Sequence, residues 1–104
     1  MGAPTGVLAR CVMKYRIIGQ TNSWIAQRDG LFRGKERVVI NSGLSLKEAK
    51  DILLKYFCRS YDVYFPNWGV VMNSRLGRDY ASHFKDGTYS YEYDSRYFRI
   101  EEEE

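Results

Sequence analysis

The feature that most constrains this fold is a helix signal between residues 45 and 61, because it sets the start, the end and the buried face of one element. Ser45 followed three residues later by Glu48 forms a capping box, in which each side chain accepts a hydrogen bond from the other residue's backbone N–H. Apolar residues then recur at helical spacing and form one stripe, made of Ala49, Ile52, Leu53, Tyr56 and Phe57. We therefore predict a helix that packs this stripe on a sheet and ends around Arg59 to Tyr61.

The chain before this helix has the patterns of three strands. From Lys14 to Gly19, apolar and basic residues alternate, which predicts a strand with one wet face. The segment from Ser23 to Arg28 predicts a second strand, which the Asp29-Gly30 turn signal closes. Arg37 to Asn41 contains Val38-Val39-Ile40, the strongest β-branched run in the chain, and predicts a strand whose two faces are both at least partly covered.

The chain after the helix has the patterns of one more strand and a terminal hairpin. Pro66 restricts the residue before it, and Trp68 to Asn73 is predicted to form a strand beyond it. Residues 74–86 have no periodicity, so they form either a functional loop or a connection that contains a short helical turn. Thr88 to Asp94 alternates, and Asp94-Ser95 permits a tight return through Arg96 to Ile100.

These elements predict the α+β class. An N-terminal three-strand meander, one more strand and a C-terminal hairpin form an antiparallel sheet that one amphipathic helix covers. Residues 1–12 lack periodicity and predict a loose leader, followed by a single domain over residues 13–104, for which Met13 is a candidate start. The predicted core consists of Tyr15, Ile17, Trp24, Val38, Ile40, Ala49, Ile52, Leu53, Tyr56, Phe57, Val70, Met72 and Phe98.

Composition and targeting signals predict a soluble cytoplasmic protein that does not enter a membrane. No run approaches the roughly 20 apolar residues of a membrane span. The apolar stretch Val7-Leu8-Ala9 is interrupted by Arg10, which argues against a secretory signal. The two cysteines, Cys11 and Cys58, are therefore predicted to be reduced.

The residue types that carry catalysis or bind metals do not form a recognisable set. His83 is the one histidine and the cysteines are not at a metal-ligand spacing, so we predict no metal. A nucleophilic pair of Cys58 and His83 would need an exposed thiolate, whereas the place of Cys58 beside the apolar stripe favours a small apolar filler. The glycines fit no phosphate-binding loop. We predict no catalytic residues, no cofactor and no enzymatic activity.

Basic and aromatic residues around the N-terminal strands match a surface that binds nucleic acid, since aromatic rings stack on bases while cations track phosphates. The chain has 16 Lys plus Arg and 13 Asp plus Glu; without the four C-terminal acids, nine acids face 16 bases, a net charge of +7. The whole-chain charge of +3 is lower than in dedicated binders, and the same aromatic residues also suit a core. The candidate contacts are Lys14, Arg16, Trp24, Arg28, Phe32, Arg33, Lys35 and Arg37.

The acidic tail, Glu101 to Glu104, is predicted to act locally. It directly follows a predicted strand, and four residues span at most about 14 Å. We therefore expect a structural role at the end of the last strand rather than competition for a distant nucleic-acid site.

A protein interface fits the aromatic content equally well. The chain has nine tyrosines and two tryptophans, and Tyr, Trp and Arg are enriched where interfaces carry their binding energy. Tyr89, Tyr91 and Tyr93 form the candidate interface stripe, unless that stripe is the packed face of the hairpin. The terminal hairpin also predicts a sheet edge, to which a partner strand or a second copy could add.

One stretch resembles short uncharacterised bacterial proteins of unknown function. It runs from Gly19-Gln20-Thr21-Asn22-Ser23-Trp24 through Arg28-Asp29-Gly30-Leu31-Phe32-Arg33-Gly34-Lys35-Glu36-Arg37. The resemblance implies a bacterial accessory protein, and it implies neither an activity nor any site residue. Together with the residue patterns, it leads us to expect a small non-enzymatic binding or adaptor module for a protein partner. Nucleic-acid binding is the alternative, and an unrecognised enzyme comes third.

Overall fold

A computed structural model describes residues 13–21 and 37–103. These residues form a five-stranded antiparallel sheet and three helices. In chain order the elements are β1 (Tyr15–Thr21), β2 (Arg37–Leu44), α1 (Leu46–Tyr61), α2 (Trp68–Asn73), α3 (Arg75–Tyr80), β3 (Ala81–His83), β4 (Tyr89–Tyr93) and β5 (Arg96–Glu102). The predicted α+β class is confirmed. The leader at 1–12 and the second predicted strand, Ser23 to Arg28, lie outside the described residues.

Helix α1 begins and ends as the sequence predicts. The Ser45 Oγ accepts from the Glu48 N–H at 3.1 Å, and the Glu48 carboxylate accepts from the Ser45 N–H at 2.8 Å, which completes the capping box. The helix ends at Tyr61, where Asp62 takes a left-handed backbone conformation with φ of 54°. Ala49, Leu53 and Phe57 face the sheet and are buried. The helix therefore packs by the predicted stripe.

The strands lie in the order β2-β1-β5-β4-β3. The C-terminal hairpin of β4 and β5 is confirmed, and its turn residues Asp94 and Ser95 both have positive φ, as the twist of a two-residue hairpin turn requires. The hairpin does not supply a sheet edge, and that expectation is wrong: β5 pairs with β1 along its whole length and β4 pairs with β3. Within the described residues, β2 and β3 are the edges of the sheet.

Strand β2 is more exposed than its β-branched sequence predicts. Val38, Val39 and Ile40 are 57%, 48% and 39% exposed, so both faces of the strand are only partly covered there. In the part of the chain that the structure describes, β2 pairs with β1 alone. A β-branched run indicates a strand, but it does not show where in the sheet the strand lies, since burial depends on neighbours distant in sequence.

Trp68 to Asn73 forms helix α2, and the prediction of a strand is wrong. The Asn67 side chain accepts from the Val70 N–H at 3.0 Å and caps the helix, and the buried residues Trp68 and Val71 are one helical turn apart. Residues 74–86 contain α3 and β3. Of the two predicted alternatives, a functional loop or a connection with a short helical turn, the second is confirmed. Three helices therefore cover the sheet where one was predicted.

The core lies between α1, α2 and one face of the sheet, called here the helix face. Its buried members are Tyr15, Ile17, Ala49, Leu53, Phe57, Trp68, Val71, Ala81, Tyr91 and Ile100. Among the predicted core residues, five are confirmed as buried: Tyr15, Ile17, Ala49, Leu53 and Phe57. Ile52, Tyr56, Met72 and Phe98 are partly buried against this cluster. Val38, Ile40 and Val70 are exposed, which contradicts the prediction, and Trp24 lies outside the described residues.

No helix in the described segments is both long enough and apolar enough to cross a membrane.

Candidate binding site at the edge of the sheet

The most exposed apolar part of the sheet is the β2 edge, defined here as Val38, Val39 and Ile40. Alternate residues of a strand face opposite sides, and the register places Val38 beside Gly19 on the helix face and Val39 beside Ile18 on the opposite, outer face. The register shifts between Ile17 and Ile18, and the Ile40 Cδ1 lies on the helix face over Gly19. The β2 edge therefore presents apolar side chains on both of its faces.

A groove adjoins the β2 edge on the helix face, because α1 crosses the sheet diagonally. The helix starts beside the end of β2 and reaches β4, where the Tyr61 hydroxyl donates to the Glu92 carbonyl. The corner where β1 ends and β2 and β5 begin stays uncovered by the described elements. Two adjoining hollows of about 260 Å³ and 200 Å³ share Ile40 and Phe98 and form the corner groove. Its described lining residues are Gly19, Gln20, Thr21, Val38, Ile40, Tyr56, Arg59, Ser60, Tyr91, Arg96 and Phe98.

Close packing shapes the floor of the corner groove. A side chain at Gly19 would place its Cβ 3.3 Å from the Ile40 Cδ1 and 3.4 Å from the Phe98 ring, so the glycine lets these two side chains meet over β1. The Phe98 ring stacks on Tyr91 with centroids 5.0 Å apart. Tyr91 is buried, and its hydroxyl hydrogen-bonds to the Ser60 Oγ at 3.1 Å. The floor is therefore apolar and already packed.

The charged side chains that line the corner groove are both cationic. Arg59 lies in the last turn of α1, and Arg96 is the first residue of β5. No carboxylate is among the described lining residues, and neither arginine forms an ion pair within the described segments. The groove thus combines an apolar floor with positive charge. Four of its residues, Val38, Ile40, Tyr56 and Phe98, were predicted as core. Arg59 and Arg96 were missed, although the alternation of Arg96 and Phe98 on one strand face was visible.

The outer face of the sheet holds the described members of the predicted nucleic-acid surface. The Glu101 carboxylate accepts from Arg16 Nε at 2.7 Å, and it also forms a salt bridge with Arg37. The hydrogen bond from Arg37, followed by that from Arg16, lowers the pKa of Glu101. Lys14 lies two residues before Arg16 on the same strand face, and its backbone carbonyl accepts from the Glu103 N–H at 2.8 Å. Two of the predicted phosphate contacts therefore share a carboxylate of this chain.

The described part of the acidic tail, residues 101–103, makes local contacts, as the sequence predicts. Glu101 and Glu102 belong to β5, and the Glu103 carboxylate accepts from the Gly43 N–H at 2.6 Å. The other predicted nucleic-acid contacts, Trp24, Arg28, Phe32, Arg33 and Lys35, lie outside the described residues. The nucleic-acid surface as a whole stays a prediction.

Replacing Glu101 by Gln is expected to make the free energy of unfolding less dependent on pH in the acidic range. The folded-state pKa of Glu101 is lowered, so its contribution to folding is present above the unfolded pKa of about 4.3 and disappears as the pH falls through the folded pKa. Urea unfolding near neutral pH should show that Glu101→Gln lowers the free energy of unfolding by roughly 1 kcal/mol. The effect is this small because the ion pair is partly exposed to solvent. The difference from wild type should disappear as the pH falls through the lowered folded-state pKa of Glu101. Glu102→Gln, the exposed neighbour, is the control; an equal loss in both variants would contradict the role of the shared carboxylate.

The three stripe tyrosines lie on the helix face, but they differ in exposure. Tyr91 is buried, and its ring meets Phe57 edge to face at 5.2 Å. Tyr89 is half-buried and stacks on Trp68 at 4.5 Å. Tyr93 is exposed and packs its ring edge to face with Tyr61 at 5.0 Å. The stripe is mostly a packed face, and Tyr93 is the member whose ring is available to a partner.

The remaining chemistry-bearing side chains are not gathered at one place. Cys58 is a half-buried free thiol whose Sγ lies 3.9 Å from the Phe65 carbonyl oxygen, while the His83 ring stacks on Tyr89. Over the described ranges, no group of three or more His, Cys, Asp or Glu side chains is arranged to hold a metal ion.

Comparison with known proteins was made at the level of families, curated proteins and solved structures. The resemblance of Gly19 to Arg37 to short bacterial proteins stays a prediction, and residues 22–36 of that stretch lie outside the described residues. No protein-family model, curated protein or solved structure matches this chain.

Proposed function

We propose that this protein is a small non-enzymatic binding module whose β2 edge accepts an extended segment of a protein partner. The observation that carries the proposal is the consecutive exposure of Val38, Val39 and Ile40 on a strand that lies at the edge of the sheet formed by the described residues. An edge strand presents unpaired N–H and C=O groups, to which a partner strand can add by main-chain hydrogen bonds.

Natural proteins blunt edge strands with lysine, proline, short length, inward charges, β-bulges or a covering helix or loop. In the residues that the structure describes, β2 lacks the first four of these devices, and its pairing with β1 is irregular beside Ile17. Strand β2 has eight residues, contains neither lysine nor proline, and its one charged residue is Arg37 at the start. The opposite edge strand, β3, has only three residues, and this short length protects it from strand addition. This asymmetry favours β2 as the binding edge.

Nucleic-acid binding is the alternative function. Arg16 and Arg37 lie on the outer face, but their shared partner Glu101 offsets part of their charge. Binding to phosphates would also release counterions and weaken steeply with salt. The protein-partner function ranks first because its surface needs no rearrangement of existing ion pairs.

Lysine substitutions at the β2 edge are expected to weaken strand addition. Peptides of about ten residues, the length of a long strand, would be selected for binding from a random displayed library and measured by fluorescence anisotropy. The double variant Val38→Lys/Val39→Lys should weaken the selected peptides by about tenfold or more, because lysine on an edge opposes pairing. Since both residues are exposed, unfolding free energy should change by less than about 1 kcal/mol.

Val70→Lys is the matched control, because Val70 is also an exposed apolar residue but lies on α2. The control should bind the peptides as wild type does, and backbone-amide NMR shifts should map bound peptide to β2. Failure to recover any peptide, or equal binding by the edge variant, would contradict the proposed function. Oligonucleotide binding that weakens steeply with salt, without peptide binding, would support the alternative.

A further inference from the structure

The corner groove lies beside the position that a strand added to β2 would take, so it can contact the side chains of that strand. The inference that follows rests on the proposed function. An added strand would lie about 4.8 Å beyond β2, and its side chains on the helix face would stand beside Val38 and Ile40. These two residues also line the groove, so it continues the surface that the added strand would cover. One face of the partner would therefore meet the groove while the other stays on the outer side.

The floor of the groove selects for an apolar side chain. Ile40 is partly exposed, and Phe98 is held in place by its stack on Tyr91. Burial of apolar surface on association stabilises a complex. A large apolar side chain of the partner would lie against Val38 and Ile40, at the side of the groove nearest the added strand.

The walls of the groove select for negative charge. Arg59 and Arg96 line its two hollows, one arginine to each, and no described lining residue carries a carboxylate. A second copy of this chain would bring the same two cations, and a basic segment would add like charge. Charge complementarity therefore favours an acidic segment of a different protein.

We propose that the partner is an extended acidic segment in which a large apolar residue is followed or preceded, two positions away, by Asp or Glu. The spacing follows from the alternation of side chains along a strand, which returns to the same face every second residue. The apolar side chain lies on Val38 and Ile40, and the carboxylate pairs with Arg59 or Arg96.

Two synthetic peptides test this partner chemistry. Both peptides are about ten residues long. The positions that face the outer side are threonine and valine in turn, and the central position on the groove side is leucine. One has glutamate two positions either side of the leucine, and the other has lysine there. The glutamate peptide is expected to bind about tenfold tighter or more in low salt. In the double variant Arg59→Glu/Arg96→Glu the preference should reverse.

The variant Arg75→Glu/Lys85→Glu is the matched control, because it changes the net charge equally at exposed positions outside the groove lining. It should keep the preference for glutamate, and loss of the preference in the control would overturn the inference. Equal binding of both peptides, abolished by Val38→Lys/Val39→Lys, would overturn the acidic partner and leave the proposed function standing. Binding that survives those edge substitutions would overturn the proposed function itself, and absence of binding by either peptide would overturn both.

Discussion

Replacing Phe57 by Ala should lower the free energy of unfolding by about 4 kcal/mol, because it removes the side chain that joins the helices to the sheet. Phe57 is 0% exposed. Its ring lies 5.1 Å from that of Tyr61, 5.9 Å from Trp68 and 5.2 Å from Tyr91, centroid to centroid. These rings belong to α1, α2 and β4, so one cavity would loosen three elements.

Urea unfolding followed by circular dichroism measures this effect. A domain of this size has a total stability of about 5–15 kcal/mol, so the variant should remain folded only at low denaturant. Lys55→Ala, on the exposed side of the same helix, is the control and should change stability by less than about 0.5 kcal/mol. A loss below about 2 kcal/mol for Phe57→Ala would show that the aromatic cluster closes over the cavity, contrary to the prediction.

Replacing Gly77 by Ala should destabilise the fold by about 3 kcal/mol or more, although the same change stabilises most helices by about 1 kcal/mol. Gly77 is buried in α3, and an added Cβ would lie 1.9 Å from the Val71 carbonyl oxygen and 2.6 Å from its carbon. Both atoms are backbone, so the clash is relieved only by separating α2 from α3. That separation would also strain the cap in which the Ser74 Oγ accepts from the Gly77 N–H.

Gly69→Ala on α2 provides the matched comparison. Its Cβ would meet the side-chain oxygen of Asn67 at 3.1 Å, a flexible side-chain atom that needs to give by only a few tenths of an ångström, and Gly69 is exposed. Its unfolding free energy should stay within about 1 kcal/mol of wild type. If Gly77→Ala proves as stable as Gly69→Ala in urea unfolding, the close approach of α3 to Val71 is absent in solution.

Local signals account for the elements that the sequence predicts correctly. The Ser45 and Glu48 cap, the α1 stripe and the Asp94-Ser95 turn each depend on residues within a few positions of one another. The prediction of a strand over Trp68 to Asn73 is wrong because the local pattern there is ambiguous. A short apolar run suits either a strand or a helix, and the Asn67 cap decides for the helix.

The candidate site could not be predicted because it depends on strand order. Val38 and Ile40 suit a core, and their exposure follows from the place of β2 at the edge. The corner groove brings Arg59 and Arg96 to one surface from a helix and a strand that are distant in the chain. Such pairings of distant segments are set by packing across the whole sheet and leave no local pattern.

The pairing of β1 with β5 also has a consequence for how the protein folds as it is made. Arg16 and Glu101 meet across 85 positions, and β5 joins the β2-β1 pair to the β4-β3 pair. The sheet cannot close until the last strand has left the ribosome, whereas α1 can form as soon as it emerges. Pairing between distant segments slows folding because the loop must close before the contacts form. We therefore expect the edge of β1 that pairs with β5, with the side chains of Ile17 and Ile18 that are buried in the folded sheet, to be exposed to chaperones from early in synthesis until β5 inserts at the centre of the sheet.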